Sequence, residues 1–222
     1  VGRDYFDVGE RERLFDTPFS VARVWRSTQQ KRKYKLSAKG ADLNNNALTY
    51  HWKVLRGDAS KIEIKPSTAG VTAEVTITWQ GRGPILPESK MESNRIDIGL
   101  FAFNGEYYSP PAFFCVNTLD NEAREYDDQG RIKSVTYMGA AEKGNYVDPT
   151  FDIPKSWKDE YHYDDSGKLL GWTRSRGEKK EDFDAEGKLI VEKDDKGNPL
   201  KTQAVRYVAK QRPNNTPVLE QV

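Results

Sequence analysis

The sequence predicts an all-β protein in two parts, a two-sheet sandwich followed by a small antiparallel hairpin sheet. Three observations predict it. Runs such as Leu48-Thr49-Tyr50-His51-Trp52-Lys53-Val54 alternate apolar and polar residues, the two-residue period of a strand with one buried face. The first 119 residues contain several such runs and no convincing helical period. Beyond about residue 120 a short aromatic-Asp-Gly unit recurs, and internal repetition outweighs single-residue signals.

Composition agrees with exposed strands that bury aromatics on one face. Charged residues make up 31% of the 222 and hydrophobic residues 36%, but 11% aromatic residues argue against disorder. With 35 basic and 34 acidic residues the net charge is +1, which leaves no bulk field for nucleic acid or acidic lipid. The single cysteine, Cys115, excludes an internal disulfide framework and a thiolate zinc cluster. In Phe113-Phe114-Cys115-Val116 it reads as a small buried hydrophobe. No apolar run approaches the roughly 20 residues of a membrane-spanning helix. The chain begins at Val1 without a signal-like segment and reads as a piece of a longer protein.

Taken in order, residues 1–18 form a charged lead-in that ends at the turn signal Asp16-Thr17-Pro18. Phe19 to Arg26 suits a first strand. In the basic stretch from Arg26 to Lys39, Tyr34, Leu36 and Ala38 alternate inward while lysines coat the outer face, a pattern better suited to an exposed strand than to a nucleic-acid patch. Asp42-Leu43-Asn44-Asn45-Asn46 is a turn. Its acidic and amide spacing matches the start of a calcium loop, but Ala47 and Lys53 stand where such a loop needs Gly and Glu. The strand carrying Tyr50 and Trp52 is expected at the centre of the architecture, with Leu48, Tyr50, Trp52 and Val54 inward.

Ile62 and Ile64 suggest a short strand, and Val71 to Trp79 is the clearest strand in the chain. Residues 81–93 form a long loop with Pro84 and Pro87. Ile96, Ile98, Leu100 and Ala102 line one face of the next strand. Asn104-Gly105 signals a hairpin with a primed turn. The return strand, from about Tyr107 to Asn117, is expected at a sheet edge or bulge because of Pro110-Pro111. Seven short alternating strands over roughly 100 residues fit an immunoglobulin-like sandwich over residues 19–119.

The segment from Ala41-Asp42 through Asn46-Ala47-Leu48-Thr49-Tyr50-His51-Trp52 resembles PKD-type and related bacterial Ig-like modules, which run from an Asp/Asn-rich turn into a strand bearing Tyr-x-Trp. The Gly-Asp turn usual after that Trp is shifted here to Gly57-Asp58.

In residues 120–208 the repeated unit is an aromatic, Asp, two polar residues, Gly, a basic residue and an aliphatic one. It reads Tyr126-Asp127-Asp128-Gln129-Gly130-Arg131-Ile132, then Tyr163-Asp164-Asp165-Ser166-Gly167-Lys168-Leu169, then Phe183-Asp184-Ala185-Glu186-Gly187-Lys188-Leu189. A decayed copy runs from Lys193-Asp194 to Gly197 and Leu200. Asp starts each turn, Gly takes the positive-φ position, and the flanking apolar residues pair across strands. The units resemble the YD repeats of RHS-type proteins. Their glycine spacing is irregular, and four copies fall short of the large closed shell that long arrays build, which implies a small curled sheet. Residues 138–157 read as an irregular insert packed on it, and residues 209–222 as a frayed tail.

The chemistry of a catalyst is hard to find. His51 and His162 each lie between inward aromatics, which puts both imidazoles on outer faces. There is no nucleophile elbow, phosphate loop, metalloprotease helix or dinucleotide fingerprint. The Asp127-Asp128, Asp164-Asp165 and Asp194-Asp195 pairs are accounted for by turns. The exposed aromatics carry the remaining hypothesis: Asn104, Tyr107 and Tyr108 on the hairpin, with Trp157 and Trp172 in the second part, are the candidate ligand-binding residues. No catalytic residue, metal or cofactor is assigned. The expected function is non-catalytic binding or scaffolding, by a monomer that binds polysaccharide or protein and neither nucleic acid nor membrane. The resemblances imply a larger bacterial protein, secreted, periplasmic or on the cell surface. The rivals are a glycan-acting hydrolase with a carboxylate pair in the interdomain groove, and a purely structural spacer.

Overall fold

The computed structural model describes residues 12–85, 88–139, 156–211 and 217–221. The chain is all-β and divides into two compact units, Val1–Leu119 and Asp120–Val222.

The first unit contains β1 (Arg13–Thr17), β2 (Ser20–Trp25), β3 (Lys31–Ser37), β4 (Thr49–Arg56), β5 (Ile62–Pro66), β6 (Thr72–Thr78), β7 (Gly83–Pro84), β8 (Glu92–Ser93), β9 (Arg95–Phe103) and β10 (Ala112–Thr118). Five strands form one sheet in the order β1-β2-β10-β9-β4, and three form another in the order β3-β6-β5. The β2/β10 contact is parallel and the remaining ladders are antiparallel. One core joins the two sheets: Trp25, Tyr34, Ala73, Val75, Ile77, Ile96, Ile98, Phe114 and Val116 are buried together. Each is an inward position of a two-residue alternation, and burying such a side chain contributes roughly 1.5–3 kcal/mol.

Three expectations need correction. The Tyr50/Trp52 strand, β4, is an edge strand of its sheet, and both rings are only half-buried. Trp52 packs on the margin of the core and its indole Nε1 donates to Gly70 O at 2.7 Å. Burial is instead complete or nearly so at the inward positions of β6, β9 and β10, which lie inside their sheets, and at the Trp25 indole of β2; Trp52 stays partly open because its strand has a neighbour on one side only. The return strand is not at an edge, because it starts only after Pro111 and lies between β2 and β9 with its donors intact. The lead-in contributes β1, and Glu12 is buried with its carboxylate 2.6 Å from the Arg32 guanidinium. Arg32 therefore belongs to the interior and not to the exposed basic face.

The second unit contains β11 (Glu122–Tyr126), β12 (Ile132–Tyr137), β13 (Trp157–Tyr163), β14 (Leu169–Arg176), β15 (Lys179–Asp184), β16 (Leu189–Lys193) and β17 (Pro199–Gln203). They form one antiparallel sheet in which spatial order is sequence order. The four Asp-Gly units close four hairpins of the same geometry. The Gly130, Gly167, Gly187 and Gly197 amides donate to the carbonyls of Asp127, Asp164, Asp184 and Asp194 at 2.9–3.0 Å. Each of those Asp amides donates in turn to the carbonyl four residues on. The Oδ1 atoms of Asp127, Asp184 and Asp194 also accept the N–H groups two and four residues ahead, and Asp164 Oδ1 accepts the Lys168 N–H and the Ser166 hydroxyl. The four glycines have φ between +77° and +85°, the left-handed conformation that ends a type I turn in a bulge. Aromatic and aliphatic then pair across the turn: Tyr126 with Ile132, Tyr163 with Leu169, Phe183 with Leu189.

The expected tail is a strand pair. β18 (Tyr207–Gln211) and β19 (Pro217–Gln221) form an antiparallel hairpin. The Tyr207 hydroxyl accepts from Arg174 Nη1 at 2.8 Å, and Gln221 accepts from Arg176 at 3.2 Å, which ties this hairpin to β14. Most of the insert expected over 138–157 lies outside the described residues.

Candidate functional site: an aromatic hairpin

β9 ends at Phe103, and the chain reverses through Asn104, Gly105, Glu106 and Tyr107. Gly105 occupies the first central turn position with φ +99°. Asn104 does not take the first central, positive-φ position that a primed Asn-Gly turn would give it. It stands before the turn and uses its side chain instead: Oδ1 accepts from the Glu106 and Tyr107 amides at 3.0 and 2.8 Å, and Nδ2 donates to Asp42 Oδ2 at 3.1 Å. Asp42 Oδ1 in turn accepts from the Asn44 and Asn46 amides at 2.8 and 3.2 Å. The Asn104 amide first, then those backbone donors, hold the Asp42 carboxyl below its usual range. This carboxylate faces N–H donors, so the calcium-like spacing of the loop is spent on turn bonds. Among the described residues, no group of three or more potential metal ligands is gathered in one place.

With Asn104 occupied in holding the hairpin, the two tyrosines are left to make contacts. Tyr107 is 67% exposed and Tyr108 is 59% exposed. Tyr108 pairs with Phe103 across the hairpin, and their rings lie 4.6 Å apart. The His51 ring stands edge-on at 5.4 Å from Tyr108 and 6.2 Å from Phe103. Tyr108 is thus a buttressed ring with an open face, and Tyr107, the residue before it at the turn, is a second exposed ring. Such a surface offers apolar faces with hydroxyl tips and is suited to stacking on a flat, polar-edged ligand.

The two tryptophans are placed differently. Trp172 is 5% exposed and sits between Tyr161 and Phe183, with ring centroids at 5.9 and 5.2 Å. It is a core residue, which removes it from the candidate site. The cause is register: Tyr161, Trp172 and Phe183 are direct cross-strand partners on β13, β14 and β15, so all three share one face. Trp157 is half-buried on that face. Tyr137 stacks on it at 4.4 Å, and the guanidinium carbons of Arg174 and Arg176 lie 5.4 and 5.9 Å from its centroid. Its ring is already occupied.

The same face carries ion pairs that alternation alone does not reveal. Asp159 and Arg174 are buried and joined by two 2.7 Å hydrogen bonds, and Arg124 contacts Glu122 at 2.6 Å. Although burial works against the charge, Glu122 and Asp159 keep their arginines firmly protonated. The available signal was spacing: Glu122, Arg124 and Tyr126 fall two apart, on one face.

On the opposite face His162 Nε2 lies 2.9 Å from Thr173 Oγ1, and the Thr173 hydroxyl donates to Asp182 at 2.6 Å. The hydroxyl proton therefore points away from the imidazole. Asp182 is held below the usual carboxylate range, chiefly by its hydrogen bond from Lys193. A poor base and a misdirected hydroxyl make this array a cross-strand brace, and not a nucleophile with its base.

Compared with protein-family models, curated proteins and solved structures, the chain matches none.

Proposed function

We propose that the chain is a non-catalytic binding or scaffolding segment of a larger bacterial protein, secreted or displayed at the cell surface, and that the Tyr107–Tyr108 hairpin is its contact surface. The observation that carries the reading is the pair of adjacent, exposed tyrosines, one of them buttressed by Phe103 and His51. A protein this polar uses most of its large aromatics inside, and leaving two rings at one hairpin tip costs solubility unless they meet a partner. Sugar rings are the ligand class that such a surface suits best, because stacking needs an open aromatic face and the flanking hydroxyls supply polar contacts. The resemblance of residues 41–52 to PKD-type modules, and of the Asp-Gly units to YD repeats, supports the extracellular and bacterial part of this reading.

Affinity electrophoresis against a panel of soluble polysaccharides tests it. Retardation by one glycan, weakened roughly tenfold in Tyr107→Ala or Tyr108→Ala, is the expected result and corresponds to about 1.4 kcal/mol. Unchanged thermal unfolding of Tyr107→Ala guards against a folding artefact. Retardation that survives both changes would discard the hairpin as the site, and no retardation by any glycan would discard sugar binding.

A further inference from the structure

Among the described residues, the three-stranded sheet of the first unit ends at β3, and no strand pairs with its outer edge. Its ladder to β6 is bounded by Trp79 N donating to Gln30 O and by Ala38 N donating to Val71 O, each at 2.7 Å. The antiparallel alternation then places the bonded pairs at Arg32, Tyr34 and Leu36. It turns the N–H and C=O groups of Lys31, Lys33, Lys35 and Ser37 to the free side. Beside this edge a groove of about 1160 Å³ runs between β3 and the facing sheet, with Leu36, Trp52, Leu100 and Phe114 among its lining residues. The disparity in strand number explains it, since three strands face five and leave apolar surface uncovered. Tyr34 lines the groove, is buried, and its hydroxyl has no hydrogen-bond partner among the described residues. Burial pushes that phenol up to about 12, so it stays a neutral donor. The rim is cationic. Lys33 pairs with Glu74 at 3.2 Å, while Lys31, Lys35 and Lys39 meet no carboxylate among the described residues.

We propose that the β3 edge binds an extended segment of a partner polypeptide by strand addition, a segment that alternates apolar residues facing the groove with acidic residues facing Lys31, Lys33 and Lys35. Main-chain hydrogen bonds to the free edge supply affinity, and the groove and lysines supply selectivity. Lysines on an edge usually deter pairing. Here they deter a second copy of the same edge, because two lysine rows repel, and they leave an acidic strand as the complementary occupant. The groove reaches Ser109 at the foot of the tyrosine hairpin but is not lined by Tyr107 or Tyr108, so variants of the tyrosines and of the β3 lysines test the two assignments independently.

The test titrates the full, isotope-labelled chain with synthetic nonapeptides that alternate Val with Glu, Val with Lys, or carry the Val/Glu composition scrambled. Amide shifts are read by NMR. The Val/Glu peptide is expected to move the Lys31, Lys33, Lys35 and Ser37 amides, and the other two to bind at least tenfold more weakly. Lys35→Pro deletes an outward N–H without removing a rung to β6, and is expected to weaken binding at least tenfold with the melting temperature nearly unchanged. Lys33→Glu combined with Lys35→Glu is expected to reverse the preference toward the Val/Lys peptide. Four results would each overturn the proposal: no shift with any peptide, indifference to both variants, hydrogen-exchange protection of those amides in the chain alone, or self-association abolished by Lys35→Pro, which would give the edge to a second copy.

Discussion

The two units solve the same problem, burying strands with a charged outer face, by opposite routes. In the first, residues far apart in sequence meet in one shared core: β2 pairs with β10 across about 90 residues, and Tyr34 packs on Phe114 at 4.9 Å. In the second, every strand of the main sheet pairs with its sequence neighbour, and one turn geometry is used four times. The first route concentrates stability in a few interlocked side chains. The second distributes it along the sheet, and burial fades toward β17, where every residue is exposed. A shared core should fail as a whole, and a meander of hairpins should fail from its unsupported end.

The largest test of that contrast lies in the one place where the second unit behaves like a core. Asp159→Ala leaves Arg174 buried without its carboxylate, and we expect a loss of about 3–5 kcal/mol in urea unfolding followed by tryptophan fluorescence. A loss below 1 kcal/mol would mean that this face is wetter than its burial indicates. In the first unit, Ile98→Ala opens a cavity among fully buried neighbours and should cost about 2–5 kcal/mol. Hydrogen exchange should rise together on β6, β9 and β10. Exchange confined to β9 would break the idea of a single cooperative core.

The repeated turns give a finer comparison. Gly187 and Gly197 have almost the same φ, +85° and +83°, so an added Cβ brings roughly 1–2 kcal/mol of local strain at either. The two sites differ in what lies beside them: a Cβ at Gly187 would stand in ordinary van der Waals contact with the core ring of Trp172 at 3.5 Å, so strain in that turn adjoins the core, whereas at Gly197 it would meet open space. Gly187→Ala should lower the global unfolding midpoint. Gly197→Ala should instead raise exchange only in β16 and β17, and equal global effects would show that the sheet does not fray from that end.

The smallest effect is on acidification. The Ser166 hydroxyl and then the Lys168 amide hold Asp164 below its ordinary 3.8, and Asn198 does the same for Asp194. A carboxylate depressed in the folded state stabilises it at higher pH, and that contribution is lost as pH falls from 3.8 through the folded value. NMR of the Gly167 and Gly197 amides should therefore show the turns loosening below about pH 4. Asp194→Asn should remove the pH dependence at the fourth turn alone.

Legibility in the sequence followed the range of the interactions. The turns were readable because Asp bonding its own backbone and Gly adopting positive φ are properties of seven consecutive residues. The strands were readable from alternation, and so was the exposure of one of Tyr107 and Tyr108, since two adjacent residues of a strand cannot both face inward; that both are exposed follows from the hairpin tip on which they lie. Asn104 was singled out correctly as part of the hairpin, but its occupation by Asp42 depends on a loop 62 residues away. Trp172 was misplaced because whether an aromatic meets Tyr161 and Phe183 is a matter of register between strands.

Alternation, turn chemistry and repetition, all local in the chain, by themselves determined that this protein is all-β and that its second half is built from Asp-Gly hairpins. Tertiary structure alone decided which strand lies at an edge, since a two-residue period is the same for central and edge strands. It also decided which charges are buried, because Asp159 and Arg174 look like surface residues until β13 and β14 set them side by side. The place of β3 at the end of its sheet, among the described residues, was decided at the same level, because pairing between distant segments is set by the packing of the whole sheet.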